Sequence, residues 1–282
     1  MTVSGAARLA GVMGWPVAHS RSPRVHGFWL ERYGVDGAYV PLPVAPEKLA
    51  DSLRALPGLG FAGVNLTVPH KETALAAVDA LADGARRIGA VNMVTVDDTG
   101  GLVGDNSDAF GFIENLRQGA PGWSAAAGPA VVLGAGGAAR AVCVALADAG
   151  VAEIRVVNRT AARAEALAGD LDGSLVVCSW NERNDVLAGA ALLVNATTLG
   201  MTGAPALAID LAGLAADAVV NDIVYVPLET PLLAAARAAG RRAVDGLGML
   251  LHQARPGFAA WFGVEPEVTP ELRTFVLAGL ET

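Results

Sequence analysis

Lys71 and Asp108 are the first residues to weigh for chemistry. An alcohol that gives up hydride must also lose a proton, and a lysine working with a carboxylate can hold and pass that proton. The stretch "GVNLTVPHKETA" (63–74) places the lysine. Val64, Leu66 and Val68 alternate as one face of a strand, Asn65 and Thr67 take the other, and Pro69 stops the ladder just before Lys71. "HSRSP" supplies Ser20 and Ser22 ahead of a helical pattern, where two hydroxyls can grip a carboxylate or merely cap the helix. "AVNMV" adds Asn92, and "GDNSD" adds Asp105, Asn106 and Asp108. The plainer alternatives are a solvated edge strand, and a salt bridge between Lys71 and Asp108 across a domain boundary.

A second constellation lies at 130–140, "AVVLGAGGAAR". An apolar strand runs into Gly134, Gly136 and Ala139 in the spacing G-x-G-x-x-A, with Ala135, Gly137 and Ala138 between and after. The first small residue permits a tight turn, the second lets backbone approach a pyrophosphate, and the third lets the helix pack on the sheet. The helix N-terminus then offers unpaired N–H groups to phosphate. The next strand ends at Asn158, 24 residues after Gly134. A carboxylate near there would accept from a ribose 2′-OH. This chain has Asn158, Arg159 and Thr160, with Arg163 one helical turn on. Guanidinium at that place fits a 2′-phosphate, so the expected cofactor is NADP(H) rather than NAD.

These residues need elements to hold them. Short apolar runs alternate with helical patterns: "LAGVMG" before "SPRVHGFWLERYG", "AYVPLPV" before "PEKLADSLRAL", "GVNLTV" before a helix expected over "HKETALAAVDALAD". The rhythm predicts an α/β fold with mostly parallel sheets. "AVNMVTVDDTGGLVGD" breaks it, as two strands joined by a turn at Asp97 to Gly101. "AFGFIENLRQGA" reads as a helix, and strands follow at "ALLVNAT" and "AVVNDIV". The expected domains are a substrate-binding α/β domain over 1–107 and a Rossmann-type NADP-binding domain over 108–245, with a cleft between them.

Composition narrows the function classes. The chain has 282 residues, is 53% hydrophobic and carries a net charge of -8 without any Lys/Arg run, which disfavours a nucleic-acid or anionic-membrane surface. "LAGVMGWPVA" resembles a signal-peptide core, but Pro16 and the polar "HSRSPR" favour a strand entering a loop. The long apolar stretch around "VVLGAGGAARAVCVALA" is interrupted by Gly and Arg140 and is expected not to cross a membrane. Cys143 and Cys178 sit in apolar runs and read as core residues. No His/Cys/Asp set has metal-ligand spacing, so no metal is expected. A soluble, cytoplasmic protein is expected, as a monomer or homodimer.

"GWPVAHSRSP", "NLTVPHK", "GAVN", "GDNSDAFGF", "GAGGAAR", "NRT" and "DGLGMLLHQA" occur in the order seen in shikimate dehydrogenases, and from about residue 9 to residue 270 the chain resembles that family. The resemblance implies reduction of 3-dehydroshikimate to shikimate with NADPH, with Lys71 and Asp108 as the catalytic pair. It implies that Ser20, Ser22 and Thr67 bind the carboxylate, that Asn92 and Gln253 bond ring hydroxyls, and that Tyr225 lies near the substrate. It also implies that Gly248 approaches the nicotinamide and that the helices from 246 to 282 complete the first domain. Met93, Ser107 and Thr198 depart from the commoner Thr, Thr and Ser, and none touches the expected pair. Alternatives are a quinate/shikimate dehydrogenase and a non-catalytic NADP-binding regulator.

Overall fold

The apolar runs between residues 8 and 105 assemble into one six-stranded sheet: β1 (Arg8–Gly14), β2 (Gly37–Pro43), β3 (Phe61–Leu66), β4 (Ala80–Leu81), β5 (Met93–Val96) and β6 (Leu102–Asp105). The computed structural model describes residues 3–171 and 175–278. The strand order is β2-β1-β3-β5-β6-β4. β5 runs antiparallel to β3 and β6, and the remaining pairs are parallel. The β5–β6 turn forms where it was expected. Gly100 takes φ +85°, and the Asp97 carboxylate accepts from the backbone N–H groups of Thr99 and Gly101.

Both faces of this sheet are covered. Val64 and Leu66 of β3 pack with Met13, Val94 and the Leu49, Leu53 and Leu56 that α2 (Leu49–Ala55) and its end present. The opposite face carries aromatics. His26 of α1 (Ser22–Arg32) meets Trp29 of the same helix, Tyr39 of β2, and Phe258 and Trp261 near the end of the helix Leu247–Phe262; Trp29 also meets Phe258. Gly63 lets Trp261 lie against β3, since a Cβ there would stand 2.2 Å from its ring nitrogen. Val68, expected on the apolar face, lies beyond the end of β3 and is exposed.

The helix expected over 70–83 does not form. Only a 3-10 turn (Thr73–Ala76) appears, followed by β4 and then α3 (Asp83–Ile88). The sheet edge takes the backbone instead. Val91 N–H donates to the Lys71 carbonyl, Asp79 N–H to Leu102, and Ala82 N–H to Gly104. Helix propensity at an Ala-rich stretch is worth tenths of a kcal/mol per residue, and such tertiary pairing overrides it.

The second sheet is wholly parallel. Its strands are β7 (Ala130–Leu133), β8 (Ile154–Asn158), β9 (Leu175–Ser179), β10 (Leu192–Asn195), β11 (Val219–Asp222) and β12 (Arg242–Val244), in the order β12-β11-β10-β7-β8-β9. That is the doubly wound order, with its switch point between β7 and β10. α4 (Asp108–Gly119), α5 (Gly137–Asp148), α6 (Ala161–Asp170) and α7 (Pro231–Ala238) accompany it. Val131, Leu133, Val157, Leu193 and Val220 form its buried apolar face with Leu232 and Ala236 of α7.

The chain divides into two compact units. One runs to Ser107 and resumes at Leu250; the other is Asp108–Met249. α8 (Leu247–Phe262) begins three residues before that division, and α9 (Pro270–Leu277) belongs to the first unit. Cys143 is fully buried in α5, and Cys178 is half-buried in β9.

Candidate functional site

In the first unit, polar side chains collect at one end of the sheet. β3 ends at Leu66, and Leu66 N–H donates to the Asn92 carbonyl at 2.8 Å. Asn92 N–H in turn donates to the Asp105 carbonyl at 3.0 Å, at the end of β6. Because β5 runs backwards, its entry lies level with the exits of β3 and β6. Asn92, just before β5, therefore shares a rim with Thr67, just after β3. Lys71 joins them through its carbonyl, which accepts from Val91 N–H at 2.7 Å.

Each rim residue is held by local contacts. Thr67 N–H donates to Met13 in β1, and Gly14 makes room for the threonine, since a Cβ there would stand 2.5 Å from Thr67 Cγ2. Asn92 is buried, and its Oδ1 accepts from both the N–H and the hydroxyl of Ser107. Those two bonds fix the backbone immediately before Asp108, the buried first residue of α4. Asn106 is pinned by its amide on the Ala90 carbonyl, 2.9 Å away. His70, beside Lys71, is buried with Nε2 2.9 Å from the Val44 carbonyl, a structural role.

Ser20 and Ser22 are half-buried at the start of α1. The N-cap position falls on Arg21, with no side-chain cap. Ser20 Oγ accepts from Ser22 N–H at 3.3 Å, a long bond. Tyr39, in β2, donates to Asn65 Oδ1 at 2.7 Å, and Asn65 Nδ2 donates to the Asn92 carbonyl at 3.0 Å. Sequence reasoning passed over Tyr39, which sits in an apolar strand pattern and reads as core. Gln253 is half-buried in α8.

In the second unit, the glycine loop joins β7 to α5. Gly134 has φ +116°, and a Cβ there would stand 2.9 Å from the Ala196 carbonyl oxygen. Among the described residues, a Cβ built at Gly136 or Gly137 would meet nothing within 4 Å beyond its chain neighbours and the backbone of its own helix. The loop face they share with Ala135 and Ala138 is thus open, and α5 has Gly136 at its N-cap with no side-chain cap. Ala139 is fully buried against the sheet. An uncapped helix start behind an open glycine loop fits a pyrophosphate.

β8 ends at Asn158, whose Nδ2 donates to the Thr160 carbonyl at 2.9 Å and shapes the turn into α6. Arg159, Thr160 and Arg163 are exposed there, and Thr160 gives no side-chain cap. Exposed guanidinium groups without a neighbouring carboxylate in "NRTAAR" fit a 2′-phosphate. Gly248 is buried against Asn115, since a Cβ would fall on its amide, and Asn115 Nδ2 donates to the Asp245 carbonyl at 2.7 Å. Asn115 therefore holds the 245–248 turn, a role its place in a helical pattern did not announce. Tyr225 is half-buried just after β11.

At the ends of β10 and β11, Asp222 is fully buried and accepts from Asn195 Nδ2, Thr230 Oγ1 and Val224 N–H. Burial pushes its carboxyl up to about 6. Among the described residues, no group of three His, Cys, Asp or Glu side chains is placed to hold a metal, and no helix is long and apolar enough to cross a membrane.

Residues 12–94 match the family model "Shikimate dehydrogenase substrate binding domain", and residues 122–202 match "Shikimate / quinate 5-dehydrogenase". The NADP(+) shikimate dehydrogenase of Paramagnetospirillum magneticum is 64% identical over 276 residues, covering 98% of this chain and 100% of the relative. The fold is similar to that of shikimate 5-dehydrogenase from Thermus thermophilus in complex with NADP(H) and shikimate. The TM-score is 0.83 at 39% identity, covering 97% of this chain and 98% of that one. It is also similar to quinate dehydrogenase from Corynebacterium glutamicum in complex with NAD, with a TM-score of 0.89 at 35% identity, over 96% and 99% of the two chains.

Proposed function

The chain belongs to the shikimate dehydrogenase family, and from that premise we propose that it interconverts 3-dehydroshikimate and shikimate with NADP(H), in the cytoplasm. The observation that carries the reading is the rim of the first unit, where Thr67, Lys71 and Asn92 are tied to one end of one sheet. NADPH supplies the hydride when bound. The chain's own residues do the rest. Lys71 Nζ and the Asp108 carboxylate hold and pass the proton of the oxygen that changes between carbonyl and hydroxyl. Ser20, Ser22 and Thr67 take the substrate carboxylate, Asn92 and Gln253 take ring hydroxyls, and Tyr225 lies beside the ring.

The residues assigned to NADP are the Gly134–Ala138 loop, Asn158, Arg159, Thr160, Arg163 and Gly248. The loop and the start of α5 hold the pyrophosphate, and the two arginines hold the 2′-phosphate. The unit Asp108–Met249 is accordingly the cofactor domain, and the unit with the rim is the substrate domain.

A second reading, oxidation of quinate with NAD, is motivated by the likeness to the Corynebacterium glutamicum enzyme. The carboxylate-free end of β8 favours NADP over it. Following reduced nicotinamide by absorbance, with shikimate or quinate and with each cofactor, tests both. We expect turnover with shikimate and NADP. Turnover with quinate and NAD alone would replace the first reading by the second, and none with any pair would leave a binding protein.

A further inference from the structure

The strand order of the second unit sets the direction in which a dinucleotide lies. β11, β10, β7 and β8 run side by side in that order. With the pyrophosphate assigned to the glycine loop after β7 and the adenosine ribose to the end of β8, the nicotinamide half has the other side of the switch point, over the ends of β10 and β11. Two loops form the floor there, 196–202 after β10 and 223–230 after β11. The first abuts the glycine loop, since a Cβ at Gly134 would stand 2.9 Å from the Ala196 carbonyl oxygen.

One buried carboxylate ties both loops down. Asp222 Oδ1 accepts from Asn195 Nδ2 at 2.9 Å and from Val224 N–H at 3.1 Å, and Oδ2 accepts from Thr230 Oγ1 at 2.7 Å. Burial pushes its carboxyl up to about 6, so at neutral pH these donors still face a charged group. Asn195 is the relay. Its Nδ2 also donates to the Leu199 carbonyl at 3.0 Å, which turns Oδ1 toward Thr197. There Oδ1 accepts from the Thr197 N–H at 3.1 Å and from its hydroxyl at 2.7 Å. Thr197 Oγ1 in turn accepts from Leu199 N–H at 3.1 Å. Thr202 N–H links the two loops directly, donating to the Val226 carbonyl at 3.0 Å. Asp222, Asn195 and Thr230 are fully buried, so they act on a ligand only through the loops they hold. A satisfied buried network of this kind specifies one arrangement of the backbone around it.

Resting on the reading of this unit as the NADP domain, we propose that Asp222 is a positioning residue for the nicotinamide half of the cofactor. Through Asn195 it sets the backbone of 196–202, and through Val224 and Thr230 it sets that of 223–230. The adenosine half, assigned to the ends of β7 and β8, does not depend on it.

Binding titrations of the full chain with Asp222→Ala and Asp222→Asn test this, beside thermal melts. The ligands are NADP and adenosine 2′,5′-bisphosphate, which has the 2′-phosphate but no nicotinamide. Asp222→Ala should raise Kd for NADP by about 10-fold, the low end for hydrogen bonds to a charged group. Kd for the bisphosphate should stay near wild type. Asp222→Asn keeps one acceptor oxygen for Asn195 and Val224, and should weaken NADP less. Unchanged NADP affinity in Asp222→Ala, or equal weakening of both ligands, overturns the proposal and leaves the network to the fold alone. If wild type binds neither ligand, the cofactor reading fails first, and this proposal with it. Should Asp222→Ala be too unstable to assay, Thr197→Val breaks the relay at its half-buried far end, and Thr197→Ser preserves it. The valine should raise Kd for NADP by about 2–10-fold, the usual worth of one hydrogen bond, with the bisphosphate unaffected and the serine like wild type. Equal NADP affinity in the two variants overturns the proposal as well.

Discussion

The contact proposed between Arg159 and the 2′-phosphate is a test of single-residue chemistry. Arg159 is exposed at the end of β8, where Asn158 shapes the turn and the run "NRTAAR" carries no carboxylate. A charge-assisted hydrogen bond contributes about 1.5–3 kcal/mol, or about 10–150-fold in affinity. Arg159→Ala should weaken NADP by that factor and leave NAD nearly unchanged, with a further loss when Arg163 is also replaced. Equal weakening of both cofactors in titrations would assign Arg159 to the fold instead. Lys71→Ala should lower kcat by about 10²–10⁴-fold, the worth of a positioned acid/base group, while NADP binding stays intact. A near-normal kcat would remove Lys71 from the chemistry. The positions proposed for these roles stood out in the sequence because their signals are local: the glycines, the arginine turn and "NLTVPHK" each sit within a few positions. The Tyr39 bond did not, because its partner Asn65 is 26 residues away and an apolar strand pattern hides a bonded hydroxyl.

At the scale of elements, hydrophobic rhythm located most strands and helices, and the doubly wound second sheet followed from it. The 70–83 stretch misled because its pattern is helical while the bonds that decide it come from β6 and from Val91. Edge pairing of that kind leaves no trace in local propensity. The ends of β10 and β11 carry another long-range device, the buried Asp222. Its folded value of about 6 lies above the ordinary 3.8 because of burial. Between about pH 4 and about pH 6 the folded chain keeps a proton that the unfolded chain has released. The stability this group contributes is therefore present below that window and lost as pH rises through it. At about 1.36 kcal/mol per pH unit, the loss is on the order of 3 kcal/mol. Urea unfolding of wild type and Asp222→Asn on both sides of the window should show their difference shifting by that order. A pH-independent difference would mean that Asp222 is already ionised when folded under mildly acid conditions.

At the scale of the whole molecule, two units with separate cores need not melt together. A ligand that binds only the folded state at 100 times its Kd stabilises by about 2.7 kcal/mol. Calorimetry with NADP should raise the transition of the Asp108–Met249 unit, and shikimate should raise that of the other. NADP acting on the rim-bearing unit alone would reverse the domain assignment. The backward strand β5 has one more consequence. With its entry on the rim, its exit and the Asp97–Gly101 turn lie at the opposite end of the strands, where Asp97, Asp98 and Thr99 are exposed. That turn is a handle for engineering. An affinity peptide or a fluorophore spliced between Asp98 and Thr99 should leave turnover intact, giving an immobilised or optically reporting enzyme whose proposed substrate rim faces away from its tether.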